Sequence, residues 1–130
     1  RLLSLIEVGV TVKELARKVE SLCMEEGADG MTFSTIVASG KNGARPHAGV
    51  TEKKIRCGEL ITIDFGVRYK GYVSDMTRTI AAGDVSRRLM RIYEAVRGAQ
   101  ECGCKQARAG MTGEELDAVC RNYLRRKGFG

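Results

Sequence analysis

Apolar residues recur at intervals of three and four along the first part of the chain, where Val12, Leu15, Val19, Leu22 and Cys23 form one stripe of a helix. Thr11 and Glu14 make a capping box at its start, with the hydroxyl on the N3 amide and the carboxylate returning to the cap, and Gly27 ends it. Ahead of it, Leu2, Leu3, Leu5 and Ile6 read as part of an earlier helix. The period then changes. Met31 to Ala38 is short and β-branched and predicts one strand, which Ser39-Gly40-Lys41-Asn42-Gly43 stops. A loop runs through Arg45-Pro46-His47 to Gly58. Leu60 to Val67 and Tyr72 to Ile80 then predict a hairpin around Arg68-Tyr69-Lys70-Gly71. A long helix is expected from Ser86 to Ala107, with Leu89, Ile92, Val96 and Ala99 on one face, until Gly110 breaks it. Thr112 and Glu115 form a second capping box, and Leu116, Val119, Cys120, Tyr123 and Leu124 supply the stripe of the helix that follows.

The two capped helices superimpose with a shift of 101: Gly9, Thr11, Glu14, Leu15 and Gly27 fall on Gly110, Thr112, Glu115, Leu116 and Gly128. Read as a duplication, 9–83 is a first half-repeat with its strands and 84–130 holds only the helices of a second. The chain opens at Arg1, without Met and inside a helical pattern, and it stops just after a helix-ending glycine. A fragment at both ends is the expectation.

Composition narrows the classes. With 43% apolar and 29% charged residues the chain is globular rather than disordered or fibrous. No apolar run reaches the roughly 18 residues of a spanning helix, so no membrane partner is expected. The five cysteines (Cys23, Cys57, Cys102, Cys104 and Cys120) include no Cys-x-x-Cys pair, so zinc-finger and disulfide-framework templates fail and reduced cysteines in the cytoplasm are expected. The net charge of +6 is spread along the chain, and its densest cluster, Arg121, Arg125, Arg126 and Lys127, closes a helix, where cations complement the macrodipole. Nucleic acid is therefore not the expected partner.

Chemistry concentrates in the hairpin. Asp64, in Leu60-Ile61-Thr62-Ile63-Asp64-Phe65-Gly66, and Asp75, in Tyr72-Val73-Ser74-Asp75-Met76-Thr77, both interrupt strands that are otherwise apolar or β-branched. A hairpin centred between Tyr69 and Lys70 sets them directly opposite on one face, with Cβ atoms roughly 4.5 to 5.5 Å apart. Like charges at that distance destabilise a sheet, so something compensates: one or two divalent cations held by the carboxylates, a shifted register, or neutralisation by Arg68 or Arg78. His47 is the only histidine. It reads either as a surface residue or as a hydrogen-bonding and proton-handling group of a site that its loop reaches.

Ser39-Gly40, Pro46-His47-Ala48, Gly58-Glu59-Leu60, Ile63-Asp64-Phe65-Gly66, Gly71-Tyr72 and Ser74-Asp75-Met76-Thr77-Arg78-Thr79, in this order and spacing, resemble the pita-bread metallopeptidase family. Within it they resemble the Xaa-Pro aminopeptidase and Xaa-Pro dipeptidase branch. The resemblance runs from Thr11 to Phe129 and implies an α/β (α+β) pita-bread fold, incomplete here, in which 1–130 is part of a catalytic domain. It makes Asp64 and Asp75 ligands of a two-metal centre with Asp75 bridging, His47 the substrate-facing histidine, and Thr77 and Arg78 supports behind the ligands. The implied cofactors are two divalent ions, manganese first, with cobalt, zinc or iron as alternatives. One further histidine ligand, two glutamates and a second substrate-site histidine belong to a part of the family pattern for which this chain has no residues. The implied activity of the full-length form is removal of an N-terminal residue preceding proline from short peptides, by a cytoplasmic enzyme with room for a homodimer. This chain alone is expected to be inactive. The alternatives are a non-catalytic peptide- or protein-binding module of the same fold and, among enzymes, a methionine aminopeptidase.

Overall fold

The computed structural model describes all residues from Arg1 to Gly130, which form two units, Arg1–Val85 and Ser86–Gly130. In the first unit Thr11 opens α1 (Val12–Glu25) with the expected capping box: its hydroxyl accepts the Glu14 amide, and the Glu14 carboxylate accepts the Thr11 amide at 2.8 Å. The stripe read from the sequence is buried through Val12, Leu15, Ala16 and Val19. Leu2–Leu5 is a single 3-10 turn rather than part of a longer helix. No side chain caps it, and one turn without a cap does not propagate.

Six strands follow α1: β1 (Gly30–Met31), β2 (Ile36–Ser39), β3 (Glu59–Phe65), β4 (Val67–Tyr69), β5 (Tyr72–Val73) and β6 (Met76–Ala82). They make two antiparallel sheets, ordered β1-β4-β5 and β2-β3-β6. The single strand expected over Met31 to Ala38 is thus two. Gly30 and Met31 pair with Arg68 and Val67, whereas Ile36–Ser39 pair along β3, so residues 32–35 cross between sheets. The strand expected over Leu60 to Val67 also divides, at Gly66.

The hairpin turns one residue later than expected, at Lys70–Gly71, where φ is 48° and 82°. With both central φ values positive this is a type I′ turn, and glycine meets that need without strain at the second position. Asp29 accepts the Lys70 amide at 2.6 Å and fixes the turn from outside. Register follows from the turn: Tyr69 pairs with Tyr72, Arg68 with Val73, and beyond the break Asp64 pairs with Thr77.

Alternation then divides the faces of β2-β3-β6. Val37, Ile61 and Ile63 join Ile55 and the α1 stripe in the core. The other face carries Ile36, Asp64 and Thr77 in one row and Ala38, Thr62 and Thr79 in the next.

The second unit is a helical hairpin. Ser86 caps α2 (Arg87–Gln106), and Thr112 with Glu115 forms the second expected capping box at the start of α3 (Gly113–Arg126). The buried side of α2 keeps Ala99 and the half-buried Leu89 and Ile92 of the expected face but adds Ala95 and Gly103, whereas Val96 is 55% exposed. Small residues turn inward because α3 comes close. A Cβ on Gly98 would overlap Tyr123, one on Gly103 would sit 2.7 Å from Cys120 Sγ, and that thiol donates to the Ala99 carbonyl at 3.4 Å. α1 and α3 are the same length and begin at the same cap. They also end alike, with positive φ at Gly27 and Gly128 and the following amide returning to Cys23 or Leu124. No helix is long and apolar enough to cross a membrane.

Candidate functional site

Asp64 lies near the end of β3 on the face away from α1, between Ile63, which is fully buried, and Phe65, which packs against the core from its edge. Its cross-strand partner is Thr77, not Asp75, which corrects the expected register. The Thr77 hydroxyl donates to Asp64 Oδ1 at 2.6 Å, a charge-assisted bond that orients the carboxylate. Asp75 immediately precedes β6, one step beyond the Phe65–Met76 pair, and so stands opposite Gly66. The two carboxylates are therefore diagonal neighbours, for which a regular ladder gives a separation of roughly 7 to 8 Å. Gly66 makes the arrangement possible: a Cβ there would overlap the Ser74 carbonyl oxygen and come within 3.0 Å of the Phe33 ring.

The loop after β2 brings His47 to the same face. Following a 3-10 segment (Gly40–Ala44), Pro46 and His47 form a turn in which the Ala48 amide returns to the Arg45 carbonyl. His47, Asp64 and Asp75 line one cleft of about 730 Å³, whose other walls include Phe33, Thr35, Ile36 and Val50. A smaller cleft of about 330 Å³ has His47, Asp64 and Thr77 in its wall together with Arg45 and Pro46. Arg78 pairs with Ile63 on the opposite face of the sheet, and its guanidinium donates to the Thr77 carbonyl at 2.8 Å.

Neither aspartate belongs to any ion pair of the chain, so Arg68 and Arg78 do not neutralise them. Two uncompensated carboxylates on neighbouring strands, both facing one cleft, form a hard oxygen donor set that suits a divalent cation. No group of three or more His, Cys, Asp or Glu side chains is close enough to hold a metal ion by itself. The residues present thus fit part of a metal site. On the same cleft, Thr35 is 5% exposed and its hydroxyl has no hydrogen-bond partner.

Sequence reasoning missed a second polar group beside the loop, formed by Ser39, Lys53 and Glu59. Burial opposes the Glu59 charge, but the Lys53 ammonium at 2.6 Å and the Arg56 amide at 3.1 Å outweigh it and hold the carboxyl below the ordinary glutamate range. A carboxyl depressed on folding contributes stability above its unfolded value of about 4.3, and that contribution disappears as pH falls through the folded value. The melting temperature should accordingly fall more steeply below that pH in the native chain than in Glu59→Gln. Equal slopes would show that the pairing adds nothing.

The sequence matches metallopeptidase family M24 over residues 1–130. The chain belongs to that family. It is 41% identical over 129 residues to an uncharacterized peptidase of Bacillus subtilis, covering 99% of this chain and 36% of the relative. To the Xaa-Pro dipeptidase of Pyrococcus furiosus it is 41% identical over 125 residues, covering 96% and 36%. The crystal structure of an X-Pro aminopeptidase from Thermotoga maritima superposes with a TM-score of 0.95 at 41% identity, covering 99% of this chain and 37% of that one. This M24 chain spans about a third of the length of the curated relatives it matches. Its α/β architecture is correspondingly an incomplete version of the pita-bread fold of its structural neighbours.

Proposed function

We propose that this M24 chain is the part of a metal-dependent exopeptidase that supplies two aspartate ligands and the substrate-facing histidine for cleaving the bond between an N-terminal residue and proline. The observation that carries the reading is the convergence of His47, Asp64 and Asp75 on one cleft. The names of the dipeptidase and aminopeptidase relatives support the substrate class. In this reading 9–83 is the first half-repeat and 84–130 the helical part of a second, as the matching caps of α1 and α3 support.

Asp64 and Asp75 would hold divalent ions, manganese first. Such ions supply Lewis acidity toward a carbonyl oxygen and make water a better nucleophile at neutral pH. Thr77 keeps one Asp64 oxygen engaged and leaves the other free to ligate. Arg78 acts only through the Thr77 carbonyl. His47 donates a hydrogen bond to the substrate beside the scissile bond, while Phe33, Ile36 and Val50 give the cleft an apolar wall. The five free cysteines fit a reducing cytoplasm. A homodimer of the whole protein belongs to the same reading.

Two carboxylates cannot complete a two-metal centre, since each ion takes several ligands and no third candidate joins them. The remaining ligands come from outside these 130 residues. Manganese titrated calorimetrically into the 130-residue chain should accordingly bind weakly, with no hydrolysis of an Xaa-Pro dipeptide, whereas a polypeptide as long as the relatives should bind it tightly and hydrolyse the dipeptide. Micromolar binding at two sites with steady turnover by the short chain would overturn the shared-ligand reading. No metal binding or turnover by the long form would instead favour a peptide-binding module.

A further inference from the structure

His47 stands in a loop whose two ends are tied together by side chains. Ser39 closes β2 with a fully buried side chain, and Lys53, fourteen positions later, donates to Ser39 Oγ at 2.8 Å. The same ammonium donates to the Lys54 carbonyl at 3.1 Å and to Glu59 Oε2 at 2.6 Å. All three of its protons therefore have acceptors. Glu59 Oε2 also accepts the Arg56 amide, and the other Glu59 oxygen lies against Gly40, where a Cβ would be 2.6 Å away and φ is +61°. The knot joins the first residues of the loop to the residues that end it.

Its surroundings separate a rigid base from an exposed apex. Lys53 and Glu59 are only 28% and 18% exposed, unlike the chain's other ion pairs, so their attraction is less screened. Residues 51–55 are further held by backbone bonds to the start of α1 and the residue before its cap: the Val12 amide to the Lys53 carbonyl, the Lys13 amide to the Thr51 carbonyl, and the Ile55 amide to the Val10 carbonyl. By contrast, Arg45, Pro46, His47, Gly49 and Val50 are exposed, and Ala48 is the only buried residue among them. The apex has little packing of its own.

We infer that Lys53 is a positioning residue for His47: by tying Ser39 to Glu59 it fixes the base of the loop, and with it the place of the imidazole relative to Asp64 and Asp75. This rests on the reading of His47 as the substrate-facing group. Misplacement of such a group by a fraction of an ångström to 1 Å lowers turnover, because catalytic geometry tolerates little error.

His47 is the only histidine, so its ring protons give an unambiguous NMR signal in this chain. Lys53→Met removes the ammonium and keeps the stem, Lys53→Arg restores the charge, and Ser39→Ala removes only the tie to β2. In Lys53→Met the His47 signal should shift or split, and amide exchange over residues 44–50 should accelerate about tenfold while α1 stays protected. Lys53→Arg should restore most of the native signal, and Ser39→Ala should give a smaller change of the same kind. A lowered melting temperature with an unmoved His47 signal and unchanged exchange would overturn the inference and leave the knot a purely structural contact. If Lys53→Met does not fold, Ser39→Ala decides by the same readout. The reading of His47 itself is tested separately, by His47→Gln in the metal-loaded long form. Unchanged turnover there removes the substrate role, whereas a His47 signal moved by the Lys53 variants still establishes the positioning.

Discussion

Gly66→Ala should lower stability by about 1 to 3 kcal/mol, the usual range for overpacking, and weaken metal binding at the aspartate pair at least about tenfold. An added methyl meets the Ser74 carbonyl and the Phe33 ring at once. The carbonyl is backbone and cannot rotate away as a flexible side chain would. Relief requires the 74–75 segment to move off β3, which carries Asp75 away from Asp64. Urea denaturation and manganese calorimetry on the same protein report the two effects. Gly71→Ala is the control: its site is open, but its φ of +82° disfavours a side chain. That change should cost about 1 kcal/mol through backbone strain alone and leave metal binding unaltered. Equal metal affinity in Gly66→Ala and the native chain would show that the glycine does not maintain the spacing of the carboxylates.

Asp75→Asn and Asp64→Asn should each reduce metal affinity in the long form by more than about 100-fold, beyond the 10- to 100-fold expected when a residue supporting a ligand is removed. Thr77→Val belongs to the lesser class, because it deletes only the hydroxyl that orients Asp64. Thr77→Ser should retain most of the affinity. Stability of the metal-free chain should move the other way. Two carboxylates without a cationic partner repel each other, so neutralising one should stabilise the fold by a few tenths of a kcal/mol, the scale of two like charges roughly 7 to 8 Å apart in water. Opposite signs for affinity and stability would mark these residues as kept for binding at a cost in folding. If both Asn variants destabilise the metal-free chain and bind manganese normally, the aspartates are structural.

The helices were legible because their signals are local. A Thr with a Glu three residues later and a Gly at the far end specify where a helix starts and stops whatever packs on it, and both capping boxes form as read. The inward face of α2 was legible only in part. Ala99 is inward as read, but the close approach of α3, with Tyr123 against Gly98 and Cys120 against Gly103, turns Ala95 inward and leaves Val96 out. Which residues are small enough matters there more than which are apolar.

The same division runs through the candidate site. Residue types and spacing singled out Asp64, Asp75 and His47, because carboxylates inside apolar strands and a lone loop histidine are conspicuous without any coordinates. Whether those residues meet depends on the turn, on the break in the ladder and on the loop after β2, and none of these is written in any short window. A shift of one residue in the turn replaced Asp75 by Thr77 as the partner of Asp64, since every pair in a hairpin inherits its register from the turn. Gly66 and the Lys53 knot left almost no trace in the hydrophobic pattern, because a missing Cβ and a buried ion pair acquire meaning only from atoms brought close by the rest of the chain. Helix ends, the two-sided strands and the identity of the chemistry-bearing residues follow from interactions within a few positions of each residue. Register, the facing of each helix and the meeting of the three site residues are long-range outcomes, decided when distant segments compete for the same space.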